Sequence, residues 1–438
     1  DRAMKAPRPG KVAYINARVV DPASGFDGPG QVLTIGEEIA AVGAKLFDKK
    51  PPADAEVVDC DGLCIAPGLV DMRVQLGEPG YEHKENLRSG GEAAVAGGVT
   101  TMVGLPNTNP IIDDEATVEY VARRARKHAL AKVYVYGAAT KGLNGKELAE
   151  IGLLADAGAV GFTDATKAIA DAQVMRRALS YAATFGLLII QHPEEPSLAG
   201  GVMNAGEMAT RLGLSGIPRE AEIIMLERDI RLVAMTGGRY HAAHISTAES
   251  VAIIAKAKAD GLNVTCDTAP FYFALNEMSV GDYRSFAKLS PPLRNEDDRK
   301  AIVEGLKSGV IDCIASDHSP QDQDSKRLPF AQAAFGGSGL ETLLAVSLGL
   351  VHDGELSMLD ALRRLTSAPA QLLGLDAGQI AAGRKADLVI FNPERGWKVI
   401  ADDFKSKSKN SPFDGRPVQG RVLRTVIDGR VVHDELNT

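Results

Sequence analysis

The first part of the chain has the hydrophobic pattern of short strands. Four runs with alternating apolar and polar residues are separated by Gly and Pro, and they predict a small β unit. These predicted strands cover residues 11–17, 31–35, 39–42 and 55–59.

The pattern changes near residue 67, where apolar runs of strand length begin to alternate with amphipathic segments of helical length. A regular order of strand and helix over about 300 residues predicts parallel strands joined by crossover helices. Eight such units predict a (β/α)8 barrel of the TIM type. The predicted strands are 69–74, 100–105, 131–136, 159–163, 187–191, 240–245, 263–266 and 311–315, and one of the helices between them is expected at 145–157.

Strand-like runs return near the C-terminus, from about residue 377. We expect the two β-rich ends to fold together as one small β-sandwich domain beside the barrel. The predicted division is therefore residues 1–66 for the first part of this domain, 67–376 for the barrel, and 377–438 for the second part.

Composition narrows the class of protein. The 438 residues carry a formal charge of -8, whereas nucleic-acid binders usually show a basic excess, so we expect no nucleic-acid partner. No uncharged apolar run reaches the length of a membrane span, so we expect no membrane partner and a cytoplasmic location. The four scattered cysteines are typical of reduced, buried thiols.

Polar residues end several of the predicted barrel strands, where the catalytic groups of such barrels lie. Four of them form a nitrogen and oxygen set typical of a zinc hydrolase, in which a bound water loses its proton to a nearby carboxylate. These four are Asp164, His192, His244 and Asp317. His241 and His318 are interpreted as structural or as pointing away from the barrel interior.

The sequence contains several specific motifs, among them Ala66-Pro67-Gly68-Leu69-Val70-Asp71-Met72, Pro106-Asn107-Thr108, His244-Ile245-Ser246-Thr247, Pro291-Pro292-Leu293-Arg294, Asp317-His318 and Gly339-Leu340-Glu341-Thr342. Together these motifs resemble those of type I dihydroorotases of the amidohydrolase superfamily. The resemblance extends over residues 11–435, and it implies a barrel with a split β domain. It also implies the reversible cyclisation of carbamoyl-aspartate to dihydroorotate in pyrimidine synthesis.

Part of the family's site is retained in this sequence. The resemblance implies that Asp164 occupies the bridging-carboxylate position and that His192 and His244 occupy the second-metal positions. It likewise implies that Asp317 is the catalytic carboxylate, here a vestigial general base, and that Asn107 contacts the substrate.

Other family positions are substituted. The first strand should carry His-x-His, but Arg73 and Gln75 stand there. The expected substrate-binding Arg, Asn and His are replaced by Gly77, Ser290 and Gln321 respectively.

Arg73 has a permanent positive charge and no acceptor, so it cannot ligate a metal. We therefore expect it to pair with Asp317, Asp164 or both, in place of the cation. At most one weakly held zinc is expected, on Asp164, His192 and His244, and the alternative is none.

The leading hypothesis is a non-catalytic or strongly impaired dihydroorotase homologue. The resemblance implies that such a subunit associates with aspartate transcarbamoylase and supports its assembly, and we also expect a homo-oligomer. One alternative is an active dihydroorotase that uses a single zinc. A third hypothesis, an allantoinase or hydantoinase, is disfavoured because those enzymes carry a lysine where Asp164 stands, and Lys167 lies three residues further on.

Overall fold

The N-terminal part of the chain forms the strands of a small β unit. The computed structural model describes residues 9–47 and 50–437. Buried residues such as Tyr14, Ala17 and Val19 lie on the first strand, which pairs with the second in antiparallel fashion. The strands are β1 Lys11–Asp21, β2 Phe26–Ile35, β3 Glu38–Gly43, β4 Glu56–Asp59 and β5 Cys64–Pro67.

Eight parallel strands then form the predicted barrel. Two sheets, one of three strands and one of five, are joined by the bridges Gly137–Phe162 and Val74–His318, which close the circle. Apart from Lys132–Val135, which is only partly buried, the barrel strands are fully buried or nearly so, as expected when helices cover a parallel sheet. They are β6 Leu69–Val74, β7 Val99–Gly104, β8 Lys132–Val135, β9 Phe162–Thr163, β10 Leu188–Gln191, β13 Arg239–Ala242, β14 Val264–Thr268 and β15 Cys313–Ile314, while β11 Met203–Asn204 and β12 Gly216–Ile217 pair with each other in a loop.

Helices follow the barrel strands, and polar caps define where several of them begin. Asn86 and Ser89 form a reciprocal capping box, and the side chains of Asp114 and Thr247 accept backbone N–H groups of the first turn. The α-helices are Leu87–Ala96, Glu115–His128, Ile151–Asp156, Ala172–Thr184, Glu207–Leu212, Glu220–Thr236, Ala248–Ala259, Pro270–Ala274, Glu296–Lys307, Gln323–Lys326, Leu343–His352, Met358–Arg363 and Ser367–Leu373.

The helix expected at 145–157 is shorter than the sequence predicted, since it begins at Ile151. Two hydrogen bonds hold the preceding residues in a loop. The Gly145 N–H donates to the Thr140 hydroxyl at 2.9 Å, and the Lys141 N–H donates to the Glu147 carbonyl. Tertiary contacts have therefore overridden the local amphipathic pattern.

The C-terminal strands return to the N-terminal β unit. They are β16 Leu388–Lys398, β17 Pro417–Ile427 and β18 Arg430–Asp434. Strand β16 pairs in antiparallel fashion with β5, which gives the sheet order β18-β17-β16-β5-β1-β2-β3, with β4 alongside β1. The two chain ends thus share one sheet beside the barrel, which confirms a small β domain formed from both ends, while its sandwich arrangement stays a prediction. Across residues 9–47 and 50–437, no helix combines the length and the apolar character required to cross a membrane.

Candidate active site

The residues predicted at strand ends lie at the carboxyl edge of the barrel. Arg73 lies near the end of β6, and His192, His244 and Asp317 follow β10, β13 and β15. All four are buried. His244 and Asp317 have positive φ angles of 36° and 53°. Such backbone conformations cost energy for residues with side chains, and they concentrate at functional sites.

Arg73 forms an ion pair with Asp317 in this group. Its Nε lies 3.2 Å from Asp317 Oδ1, and its Nη2 donates to the Ala165 carbonyl at 3.1 Å. Arg73 is 2% exposed and Asp317 9% exposed, so little water screens the pair. The predicted contact with Asp317 is confirmed, whereas the second guanidinium contact is with a carbonyl rather than with Asp164.

The two histidines contact each other directly. His192 Nδ1 lies 2.6 Å from His244 Nε2, and His244 Nδ1 lies 2.9 Å from Asp317 Oδ2. Burial lowers the pKa of His244. Burial alone raises the pKa of Asp317, but the hydrogen bond with His244 and the charge of Arg73 outweigh it, so that the pKa lies below its usual range. A neutral His244 that faces a carboxylate carries its proton on Nδ1, and its Nε2 lone pair then accepts from His192.

Asp164 is held away from this chain of contacts. One of its carboxylate oxygens accepts the Thr140 N–H at 2.9 Å, and the other accepts the Thr140 hydroxyl at 2.6 Å. Burial raises the pKa of Asp164 despite these bonds. Both carboxylate oxygens of Asp164 are thus bonded to Thr140, and its role as third ligand of a single zinc with His192 and His244 stays a prediction.

The side chains of the site do not fit a metal centre. In the part of the chain that the structure describes, no three His, Cys, Asp or Glu side chains are placed to hold a metal ion together. Both ring nitrogens of His244 already have partners, and the Arg73 guanidinium is bonded to the Asp317 carboxylate. A positive charge in that place repels a divalent cation.

Gln75, the second substituted ligand position, belongs to a polar bridge. Its amide Nε2 donates to Ser319 Oγ at 3.1 Å, and its Oε1 accepts from Asn107 Nδ2 at 3.2 Å. The retained Asn107 is thus bonded to a substituted residue. These contacts fix both amides at the wall of the site.

The remaining substituted positions line the site or lie close to it. Ser290 and Gln321 face a cavity of about 320 Å³ together with Arg73, His192 and Asp317. Gly77 has φ +70°, and a Cβ there would lie 2.4 Å from the Glu85 carbonyl oxygen. An arginine cannot occupy position 77 unless this backbone moves.

The other histidines near the site are structural. His241 contacts Thr265 Oγ1 at 2.7 Å and Asp267 Oδ2 at 2.6 Å, and His318 Nε2 contacts Glu85 Oε1 at 2.8 Å. The sequence analysis did not select Thr140, although it is a polar residue in the loop after β8. The expectation that polar residues after barrel strands reach the site, which selected Asp164 and His192, applies to this loop as well.

Comparison with known sequences identifies the family to which this chain belongs. The profile of the Dihydro-orotase-like family matches residues 62–250, and that of the Amidohydrolase family matches residues 241–433. A dihydroorotase of Anaplasma phagocytophilum (strain HZ) is 47% identical over 426 residues, which are 96% of this chain and 95% of that protein. The chain belongs to the dihydroorotase family. A second family member, the dihydroorotase of Syntrophotalea carbinolica, is 45% identical over 97% of this chain and 99% of its own length.

Solved structures agree on the fold. An L-hydantoinase (dihydropyrimidinase) from Arthrobacter aurescens superposes with a TM-score of 0.87 and 26% identity, over 97% of this chain and 96% of that chain. A D-hydantoinase gives a TM-score of 0.84 with 23% identity, over 97% of this chain and 96% of that chain. The amidohydrolase barrel with its end-formed β domain is therefore confirmed, and this dihydroorotase-family chain shares it with hydantoinases.

Proposed function

We propose that this chain is a dihydroorotase homologue of pyrimidine biosynthesis whose own turnover of dihydroorotate and carbamoyl-aspartate is absent or strongly impaired. The observation that carries the proposal is the buried contact between Arg73 Nε and Asp317 Oδ1 at 3.2 Å. This contact balances the charge of the carboxylate that the family uses as a base, and it helps to lower the pKa of that carboxylate, which weakens it as a base. It also puts a fixed positive charge where the family places metal ligands. Neither change favours metal-assisted proton transfer.

Three further features support the same proposal. His244 is bonded on both ring nitrogens, and Asp164 is bonded on both oxygens to Thr140. Gly77 cannot supply the bidentate contact that an arginine makes with a substrate carboxylate. Removal of one partner from such a buried charge pair costs about 2–5 kcal/mol.

An active dihydroorotase that uses a single zinc is the second candidate. Its support comes from the relatives, since curated proteins named dihydroorotase are 44–47% identical over nearly the whole chain. Those names favour this candidate over an impaired protein, whereas the substituted ligand positions favour the impaired one. An activity assay separates the two.

The assay measures dihydroorotate hydrolysis and carbamoyl-aspartate cyclisation by the purified chain with added zinc. Asp317→Asn, which removes the family's base, is the matched control for a contaminating enzyme. We expect wild type and Asp317→Asn to give the same background rate. A wild-type rate well above that of Asp317→Asn would reject the proposal and support the zinc enzyme.

We also propose, from the family resemblance, that the chain self-associates and binds aspartate transcarbamoylase. Light scattering coupled to size-exclusion chromatography of the chain, alone and mixed with that transferase, tests both parts. We expect an oligomer of this chain and a mixed complex of larger mass. Separate elution of an intact transferase and this chain would contradict the association.

A further inference from the structure

A second cavity adjoins the site and has a different chemical character. It has a volume of about 320 Å³, within the usual range for small-molecule sites. Gln75, Asn107 and Lys84 line both cavities, so the amide bridge between Gln75 and Asn107 borders the two. Its remaining wall comes from other loops of the barrel edge and includes Lys167.

The charge of this lining is positive. Lys84 and Lys167 line the cavity, and among the described residues no Asp or Glu side chain does. Lys84 is partly buried, and its ammonium lies 5.3 Å from the centre of the Tyr81 ring rather than at a carboxylate. Because the whole chain carries a charge of -8, an acid-free pocket with two ammonium groups is a local reversal of charge.

The kinds of donor present favour a phosphoryl group over a carboxylate. Planar carboxylates are best matched by the fork of an arginine, and Arg73, which lines the neighbouring cavity, is bonded to Asp317. Lysine instead acts as a compact point charge and is a common phosphate binder. Two lysines from separate loops suit a tetrahedral anion, whose oxygens point in several directions.

The rest of the wall is suited to an organic substituent. Leu76, Leu105, Ile111 and Leu143 line the same cavity as the two lysines. An apolar wall beside a cationic one fits a ligand with one anionic end and one hydrocarbon end. Free inorganic phosphate would leave the apolar wall without a contact.

We propose that this cavity binds a small phosphate ester, with its phosphoryl group between Lys84 and Lys167 and its organic part against the leucines and Ile111. Neither Arg73 nor Asp317 lines this cavity, although Gly77 and Asn107, two substrate-binding positions of the family, do. The proposal does not depend on whether the Arg73–Asp317 centre turns over substrate. It gives the chain a ligand-binding role at the barrel edge.

Calorimetric titration of the full-length chain tests the proposal. Phenyl phosphate, inorganic phosphate and malonate are the probes, in low-salt buffer without metal. We expect phenyl phosphate to bind most tightly, inorganic phosphate more weakly and malonate least. Equal binding of malonate would overturn the phosphoryl assignment, and equal binding of inorganic phosphate would overturn the ester assignment.

Lysine variants locate the site. Lys84→Met and Lys167→Met should each weaken phenyl phosphate binding by roughly tenfold or more, as expected for a lost charge-assisted contact. Lys127→Met is the matched control, because Lys127 is exposed in the last turn of the helix Glu115–His128 and away from the cavity. Lys167 is also exposed, so its variant should fold even if Lys84→Met does not. Unchanged affinity in Lys167→Met, or no measurable binding to wild type, would overturn the proposal.

Discussion

Replacement of Arg73 by Met removes the guanidinium from Asp317 and keeps an unbranched side chain of similar length. Both residues of the pair are buried, with exposures of 2% and 9%. The variant leaves the Asp317 carboxylate in the barrel with His244 as its remaining hydrogen-bond partner. If Arg73 compensates the charge of Asp317, its loss must destabilise the fold.

The expected cost follows from this geometry. Removal of one partner from a buried ion pair costs about 3–5 kcal/mol. Because His244 still donates to Asp317, we expect a somewhat smaller loss in the free energy of unfolding, about 2–4 kcal/mol. Arg88→Met is the matched control, since Arg88 is exposed and pairs with Glu92 at 3.4 Å. Exposed helix pairs contribute about 0.5 kcal/mol or less.

Urea unfolding of a double-mutant cycle measures the pair itself. The cycle combines Arg73→Met with Asp317→Asn, and we expect a coupling energy of about 2 kcal/mol or more at pH 7. The pKa of Asp317 is depressed in the folded state, where His244 and Arg73 outweigh the effect of burial. Its stabilisation is therefore present above the unfolded pKa of about 3.9 and is lost as the pH falls through the lower folded value. A coupling energy near zero at pH 7, or a destabilisation no larger than that of Arg88→Met, would refute the compensation argument.

Three other substitutions test separate parts of the account. Gly77→Ala should destabilise the fold by at least about 2 kcal/mol more than the control Gly145→Ala. Both glycines have φ +70°, but an added Cβ would collide with backbone atoms only at Gly77. Equal urea midpoints of the two variants would contradict this prediction. Burial lowers the pKa of Lys326 to about 7, so the unfolded chain binds more protons above that pH. The stability of wild type relative to Lys326→Met should rise from pH 7 to pH 10 by up to about 1.4 kcal/mol per pH unit, and a flat difference would argue against a neutral buried amine. Thr140→Val removes the hydroxyl that donates to Asp164 at 2.6 Å and should cost about 1–3 kcal/mol in thermal or urea unfolding, whereas an unchanged stability would show that the contact is weak.

The barrel and the Arg73–Asp317 contact could be predicted from the sequence for physical reasons. Buried parallel strands require continuous apolar runs, and these runs alternate visibly with amphipathic helices. Strands β6 and β15 are neighbours in a closed barrel, so opposite charges at their ends must lie close together. The burial of Asp317 made a cationic partner necessary in the absence of a metal.

Other features depend on contacts that the sequence does not display. Thr140 binds Asp164 across two loops, and nothing in the spacing of the two residues indicates which oxygens meet. The bridge from Gln75 to Asn107 and Ser319 arises because amides at adjacent strand ends can donate and accept at once. At position 77, a glycine indicates backbone conformational freedom, but only the structure shows that the Glu85 carbonyl would collide with any side chain there.

The most direct test of the central claim is the zinc content of the purified chain after equilibrium dialysis against micromolar zinc. If Arg73 takes the place of the cation, elemental analysis should give a stoichiometry far below one zinc per chain. It should rise in an Arg73→His/Gln75→His variant, which restores the ligand types of the first strand. One or more tightly held zinc ions per wild-type chain, lost when His192 or His244 is replaced by Ala, would contradict the account.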